Sequence, residues 1–333
     1  QKCTLISVVF VFALPLLTSA QWLETKIYVP DSVVGVSRPQ SFTYNPMHNT
    51  IYVGGEGGDC VIVINGETDE KIAKIPAGSG IRSLCYNSTN NKVYCANYLS
   101  NSVTVIDGAN NSVITTVPVG SHPTALVYNP TDNKVYSADN GGSGVTVIDG
   151  MTNSVITTVT TGTFPSALAY NPTNNKIYCA HYAGDHVAVI DGATNDIIGS
   201  IVVGDHPVAL TYNPTSNKVY SANLYGNTLT VIDGAADTII TTVSVGDQPR
   251  ALICNSTSNK VYCANDLGNN VTVIDGMADS VVTSITVGDH PWSLACNSTS
   301  NRVYCANSWS DNVTVIDGVA DSVITTITAG NYP

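Results

Sequence analysis

Charge is scarce in this 333-residue chain: 11% of residues carry it, and the 13 Lys and Arg are outnumbered by 25 Asp and Glu, a formal −12. Nucleic acid is bound mainly by Lys and Arg neutralising phosphate. With that balance and no basic run anywhere, a nucleic-acid partner is excluded. Helix signals are missing beyond residue 20. No 3.6-residue apolar period occurs, and the β-branched residues Val, Ile and Thr dominate. The familiar enzyme signatures are missing as well: no GxSxG, no phosphate-binding GxxxxGK[ST], no CxxCH and no HExxH. Long apolar runs are absent but for "LISVVFVFALPLLTSA" at 5–20, which follows Lys2 and ends in small residues. It reads as a signal peptide over residues 1–20, cleaved before Gln21. At 16 residues with Pro15 inside, it is shorter than the ~20 of a spanning helix. The mature chain is therefore expected to have no membrane span and to be secreted, extracellular or at the cell surface, the periplasm included.

What the chain has in abundance is repetition. Ile-Asp-Gly begins at Ile106, Ile148, Ile190, Ile232, Ile274 and Ile316, always 42 residues apart, with Ile64-Asn65-Gly66 as an altered first copy. Tyr52, Tyr94, Tyr136, Tyr178, Tyr220, Tyr262 and Tyr304 keep the same interval. A period of ~40–45 residues belongs to propeller blades of four strands. The fourth copy shows all four: "PSALAYN" (165–171), "KIYCAH" (176–181), "HVAVID" (186–191) and "DIIGSIVV" (196–203), separated by turn-forming clusters. The expectation is an all-β, seven-bladed β-propeller over 39–333, its blades starting near 39, 81, 123, 165, 207, 249 and 291. In the segment 21–38, "WLETKIYV" (22–29) is expected to add a closing edge strand, covering an exposed sheet edge. At the other end "AGNYP" (329–333) matches "VGDHP" (287–291), the lead-in to a blade, so a further C-terminal domain is expected.

The stretch "NPTNNKIYCAHYAGDHVAVIDGATNDIIGSI" (171–201) resembles the YVTN family of β-propeller repeats, and the resemblance extends over essentially all of 39–333. It implies the propeller fold and an exported protein of the surface-layer type. The fold is shared with lactonase-like enzymes. The family has no common catalytic motif, so the resemblance carries no catalytic residue and implies no cofactor.

In a four-stranded blade, the loop after the second strand and the lead-in to the first emerge at the same end. This gathers His122, His206 and His290 of the lead-ins with His181, Asp185 and His186 of one loop, and Arg82, Arg250 and Trp292 beside them. Phe164 and Gln248 occupy the same register as the lead-in histidines. One reading is a polar ring that binds a ligand or, through neutral imidazole, a metal. The other, which we favour, is one side chain per blade packing or capping a turn before Pro. No metal site is expected, because zinc needs three or four ligands near 2 Å.

The repeated Asp107, Asp149, Asp191, Asp233, Asp275 and Asp317 are explained by their Asp-Gly turns. Nine cysteines occur, and "CNSTSNKVYC" and "CNSTSNRVYC" place Cys254 near Cys263 and Cys296 near Cys305. If each hairpin has a four-residue loop, the two Cys of a pair face each other across strands with Cα atoms about 4.5 Å apart, and disulfides are within reach. Each would stabilise by roughly 2–3 kcal/mol on the chain-entropy model. The sequence favours a non-enzymatic, exported scaffold or interaction module with a protein or surface-glycan partner. The alternative is a lactonase-like or lyase-like enzyme, or a small-ligand or metal binder, using the His-bearing face.

Overall fold

The structure, a computed structural model, describes residues 36–329. The expected signal peptide at 1–20, the edge strand at 22–29 and the last residues, 330–333, lie outside them. The described chain forms seven four-stranded antiparallel sheets, each made of four consecutive strands. Apart from a single 3-10 turn at Tyr98–Ser100, all the described elements are strands. This is an all-β, seven-bladed β-propeller. The first strands run over Ser37–Asn45, Ile81–Asn87, Pro123–Asn129, Pro165–Asn171, Pro207–Asn213, Pro249–Asn255 and Pro291–Asn297. The chain falls into two compact units that part between Ser200 and Ile201, with blades one to four in the first and five to seven in the second.

The repeat's apolar spacing explains how a blade is buried. In blade two, Val93, Tyr94, Cys95 and Ala96 of the second strand and Val103, Val105 and Ile106 of the third are inaccessible to solvent. Both faces of these strands are covered, which is why they read as nearly continuous apolar runs. The fourth strand, Val113–Pro118, is half covered: Val113 and Ile114 are exposed and Val117 is buried. The core sits between neighbouring blades. Tyr94, Val103, Val105 and Val117 of blade two pack on Val135 and Ile148 of blade three. In the second unit Tyr262, Val271, Val273 and Ile285 pack in the same way on Val303, Cys305 and Ile316.

Polar side chains latch each blade to the next. Lys92 Nζ donates to the Gly150 and Met151 carbonyls and to Asn153 Oδ1, and the Tyr94 hydroxyl donates to the same Asn153 Oδ1 at 2.9 Å. Lys134 and Tyr136 hold Asn195 in the same manner. In the second unit the turn residue is an aspartate, so Lys218 pairs with Asp279 and Lys260 with Asp321, each at 2.6 Å. The Lys and Tyr of blades two, three, five and six are thus partners of the following blade's turn. A second link joins the far ends of the first strands, where Asn87 Nδ2 donates to Asn133 Oδ1 and Asn255 Nδ2 to Asn301 Oδ1. Asn87 and Asn255 are fully buried. The Asp-Gly carboxylates cap their own turns: Asp275 Oδ1 accepts from the Met277 and Ala278 amides.

The disulfide expectation is overturned. The four-residue hairpin loop pairs Asn255 with Lys260, which sets Cys254 opposite Val261 and Cys263 opposite Leu252. Blade seven repeats this, with Cys296 opposite Val303 and Cys305 opposite Leu294. Each cysteine lies two residues from the position its supposed partner faces, and all four are free thiols.

Candidate functional site

The residue before the first strand of blades two to seven, and Arg38 inside the first strand of blade one, adopt a left-handed backbone. Arg38, His122, Phe164, His206, Gln248 and His290 all have φ between 50° and 55°, and blade two fills the position with Gly80 at 70°. A side chain with a Cβ is strained there, at a cost of roughly 1–2 kcal/mol. Backbone bonds hold it nonetheless. The carbonyls of His122, Phe164, His206, Gln248 and His290 accept from the amides of Asn140, Tyr182, Leu224, Asp266 and Ser308, each the first residue after a second strand. The His122 amide donates in turn to Asn101 Oδ1 at 2.9 Å, and the His290 amide to Asn269 Oδ1 at 3.0 Å. The carbonyl bond recurs in blades two to seven, Gly80 accepting from Tyr98, and the side chain presented is His, Phe or Gln where it is not Gly.

In the first unit these ends border an open depression of about 480 Å³. Arg82, Thr124 and Ser166 line it, each the second residue of a first strand. So do Tyr98, Asn140 and Tyr182, each following a second strand, together with Phe164. Arg82 is held on two sides, by Glu56 at 2.7 Å and by Gln40 at 2.9 Å, and its guanidinium lies 5.0 Å from the Tyr98 ring centre. Burial alone would raise the Glu56 carboxyl; Arg38 and Arg82 beside it bring it below the usual range. The Tyr98 ring also meets the His122 imidazole at 4.6 Å. Asn140 Nδ2 donates to the Pro165 carbonyl at 3.0 Å, and the Ser166 hydroxyl to the Ala180 carbonyl at 3.1 Å.

Blade four departs from the repeat. In blades two, five, six and seven an amide closes the second strand, as where Asn97 Nδ2 donates to Ser102 and Thr104, and in blade three the Asp139 carboxylate takes that place. In blade four His181 stacks on His186 with ring centres 4.2 Å apart and planes within 3° of parallel. Gly162 makes room: a Cβ there would stand 2.9 Å from the His186 ring and 3.1 Å from His181, and its φ is +134°. His181 is fully buried; its Nε2 meets Thr161 Oγ1 at 2.9 Å, and its Nδ1 has no hydrogen-bond partner among the described residues. Burial first, and the neighbouring imidazole second, push its pKa down to about 4. An ion bound to an imidazole lies in the ring plane about 2 Å from nitrogen. Parallel stacked planes do not meet, so this pair cannot share a metal. Cys179 Sγ lies 3.8 Å from His181 Nε2, but burial raises this thiol to about 12, far from the thiolate a nucleophile needs. Asp185 sits in the same loop with a left-handed backbone.

The second unit carries a different cluster. The Arg250 guanidinium lies 3.3 Å from the centre of the Trp292 ring and 3.7 Å from Asp266. Asp266 also receives His290 Nδ1 at 2.8 Å, and His290 packs against Trp309 with ring centres 4.0 Å apart. His206 pairs with Asp205 and meets the Tyr225 ring edge-on. Arg250, His290 and Trp292 therefore come together, as do His181 and His186.

A model of the YNCE-like β-propeller family matches residues 29–333. The chain belongs to that family. The match is consistent with the YVTN-type repeats. No curated protein matches the sequence. Among solved structures, hydrazine synthase of Kuenenia stuttgartiensis is similar with a TM-score of 0.69 and 18% identity, covering 84% of this chain and 95% of that one. The dihydro-heme d1 dehydrogenase NirN, in complex with DHE, gives a TM-score of 0.75 and 12% identity, covering 92% of this chain and 68% of that one. Likeness at such identities is a likeness of fold.

In this YNCE-like propeller, sequence reasoning grouped the lead-in histidines but missed Tyr98, Asn140 and Tyr182. The signal was present: all three follow a second strand at 42-residue intervals, like Arg82, Thr124 and Ser166 one strand earlier. Asp266, which joins Arg250 to His290, was missed for the same reason.

Proposed function

We propose that this propeller is a non-catalytic binding module that uses the lead-in ends of its blades, exported as a cell-surface or extracellular scaffold. The observation that carries this reading is the left-handed lead-in residue. Its backbone is tied down identically in blade after blade while its side chain changes from His to Phe to Gln, as recognition requires and chemistry does not. The Cys179–His181 contact supplies no working nucleophile and base, because both groups are buried with their pKa values driven away from reactivity. Export rests on the apolar segment at 5–20 and the small residues Thr18 and Ala20. The net charge favours neutral or protein partners over polyanions. To test it, the full chain is presented to extracellular polysaccharides and proteins in a biosensor, and in parallel to lactone and ester substrates. Reversible binding that weakens when Phe164 and Trp292 are both replaced by Ser, without turnover, is the expected result. Turnover abolished by His181→Asn would overturn the proposal in favour of an enzyme.

A further inference from the structure

We infer that the lead-in ends of blades five to seven form a docking surface for a cationic segment of a partner protein, one that offers Arg or Lys among apolar side chains. This rests on the binding-module reading and names the partner class. The repeat changes here at two adjoining registers. Two residues ahead of the first strand stand Asp205, Asp247 and Asp289, all exposed, where blades two to four have Ser79, Ser121 and Thr163. Two residues past the second strand stand Tyr225, Leu267 and Trp309, which are 52%, 48% and 67% exposed. Blades two to four have Leu99, Gly141 and Ala183 there. Backbone bonds set the two registers side by side: the Trp309 amide donates to the Asp289 carbonyl at 3.3 Å, and the Gly268 amide to the Asp247 carbonyl at 3.1 Å. A single exposed apolar residue is ordinary, but three at one register beside the half-exposed Trp292 make a patch. Trp and Tyr are the side chains on which protein interfaces most depend.

Charge selects the occupant. Among the described residues at this end the acids are Asp205, Asp247, Asp266, Asp289 and Asp311, and Arg250 is the one Lys or Arg. His206 engages Asp205, while His290 and Arg250 engage Asp266. Even with both imidazoles protonated, three cations face five carboxylates. An anionic partner is repelled. A purely apolar one would strip water from Asp247 and Asp289 and return nothing. A cationic head on an apolar stem suits both the carboxylates and the rings. The surface already holds one such group, since the Arg250 guanidinium lies 3.3 Å from the centre of the Trp292 ring and 3.7 Å from Asp266. Trp309 and Asp289 bring together the same two ingredients. His290 packs on that indole at 4.0 Å, and two thirds of Trp309 is still exposed.

The experiment uses the full chain with a peptide of repeated Arg-Leu-Gly units as probe. Its Gln-Leu-Gly and Glu-Leu-Gly counterparts serve as controls, and phosphatidylcholine vesicles as a rival surface. Affinity is read by calorimetry at low and high salt. The Arg peptide should bind at least about tenfold more tightly than the Gln peptide and weaken as salt rises, and the Glu peptide should not bind. Trp309→Ala should weaken binding at least about tenfold. Asp247→Ser with Asp289→Ser, the residue that blades two and three carry at that register, should do the same and remove most of the salt dependence. Met277→Ser, an exposed change in a turn at the other end of blade six, should leave binding unchanged. A Gln peptide that binds as tightly as the Arg peptide, binding that survives these Trp309 and Asp changes, or binding to vesicles and not to the Arg peptide would each overturn the inference. If the Gln peptide binds equally and Trp309→Ala abolishes it, this inference falls while the binding-module reading stands.

Discussion

The latch between blades five and six gives a sharp quantitative test. Lys218 and Asp279 pair at 2.6 Å with side chains only 12% and 7% exposed, and the Tyr220 hydroxyl donates to the other Asp279 oxygen at 3.0 Å. Lys218→Met removes the ammonium and strands the carboxylate, together with the Gly276 and Met277 carbonyls it also served. Breaking a buried pair from one side costs about 3–5 kcal/mol. Residual access of water at the blade edge places this case near the lower figure, about 3 kcal/mol. Asp279→Asn should behave differently, because the first unit already uses that arrangement: Asn153 Oδ1 accepts from both Lys92 and Tyr94. Asn also suits the left-handed backbone of this turn, where Asn153 has φ 60° and Asp279 53°. The loss is then one charge-assisted contact, about 1 kcal/mol. Urea unfolding followed by far-ultraviolet dichroism and fluorescence would measure both. The two variants should differ by about 2 kcal/mol, and the double variant should recover part of the Lys218→Met loss. Equal losses, or Asp279→Asn the worse of the two, would refute the claim that the latch works by satisfying buried acceptors.

Acid should act on blade four. His181 is held near 4 in the fold against about 6.5 when free, so the unfolded chain takes up the proton first as pH falls. Its contribution is full above pH 6.5 and is lost by about pH 4, a decline of about 3 kcal/mol in pH-dependent urea titrations. Rewriting the loop as His181→Asn, His186→Ser and Ala188→Thr, the set used by blade two, should flatten that decline; an unchanged slope would exonerate His181. Phe164→Asn should raise stability by about 0.5–1 kcal/mol, since Asn tolerates the left-handed region better than Phe; a loss in thermal or urea unfolding would deny the strain. The eight described cysteines should all titrate as thiols in urea, and the native chain should resist iodoacetamide, because burial raises Cys254 to about 12 and Cys263 further still. Intact mass with and without urea decides it, and a species two hydrogens lighter would contradict the register.

The blades were legible because a strict interval ties local pattern to global packing. Tyr52 through Tyr262 recur at fully buried positions, and the Asp-Gly turns are closed by contacts two or three residues long. What escaped reading depended on pairing across strands or blades. Cys254 and Cys263 look matched along the chain, yet hairpin register is set at Asn255 and Lys260 and shifts them apart by two. The Lys92–Asn153 latch spans 61 residues and links two motifs that each look self-sufficient. The left-handed lead-in was hidden because His, Phe and Gln stand where Gly or Asn would have announced it.

That lead-in position has a bearing on how such a protein diversifies. Its geometry is dictated by main-chain bonds, so variation at positions 122, 164, 206, 248 and 290 can reassort without renegotiating the fold. A library randomised at these sites alone should melt almost as the parent does while its members diverge in what they capture. The propeller would then resemble a pegboard, with specificity altered one peg at a time.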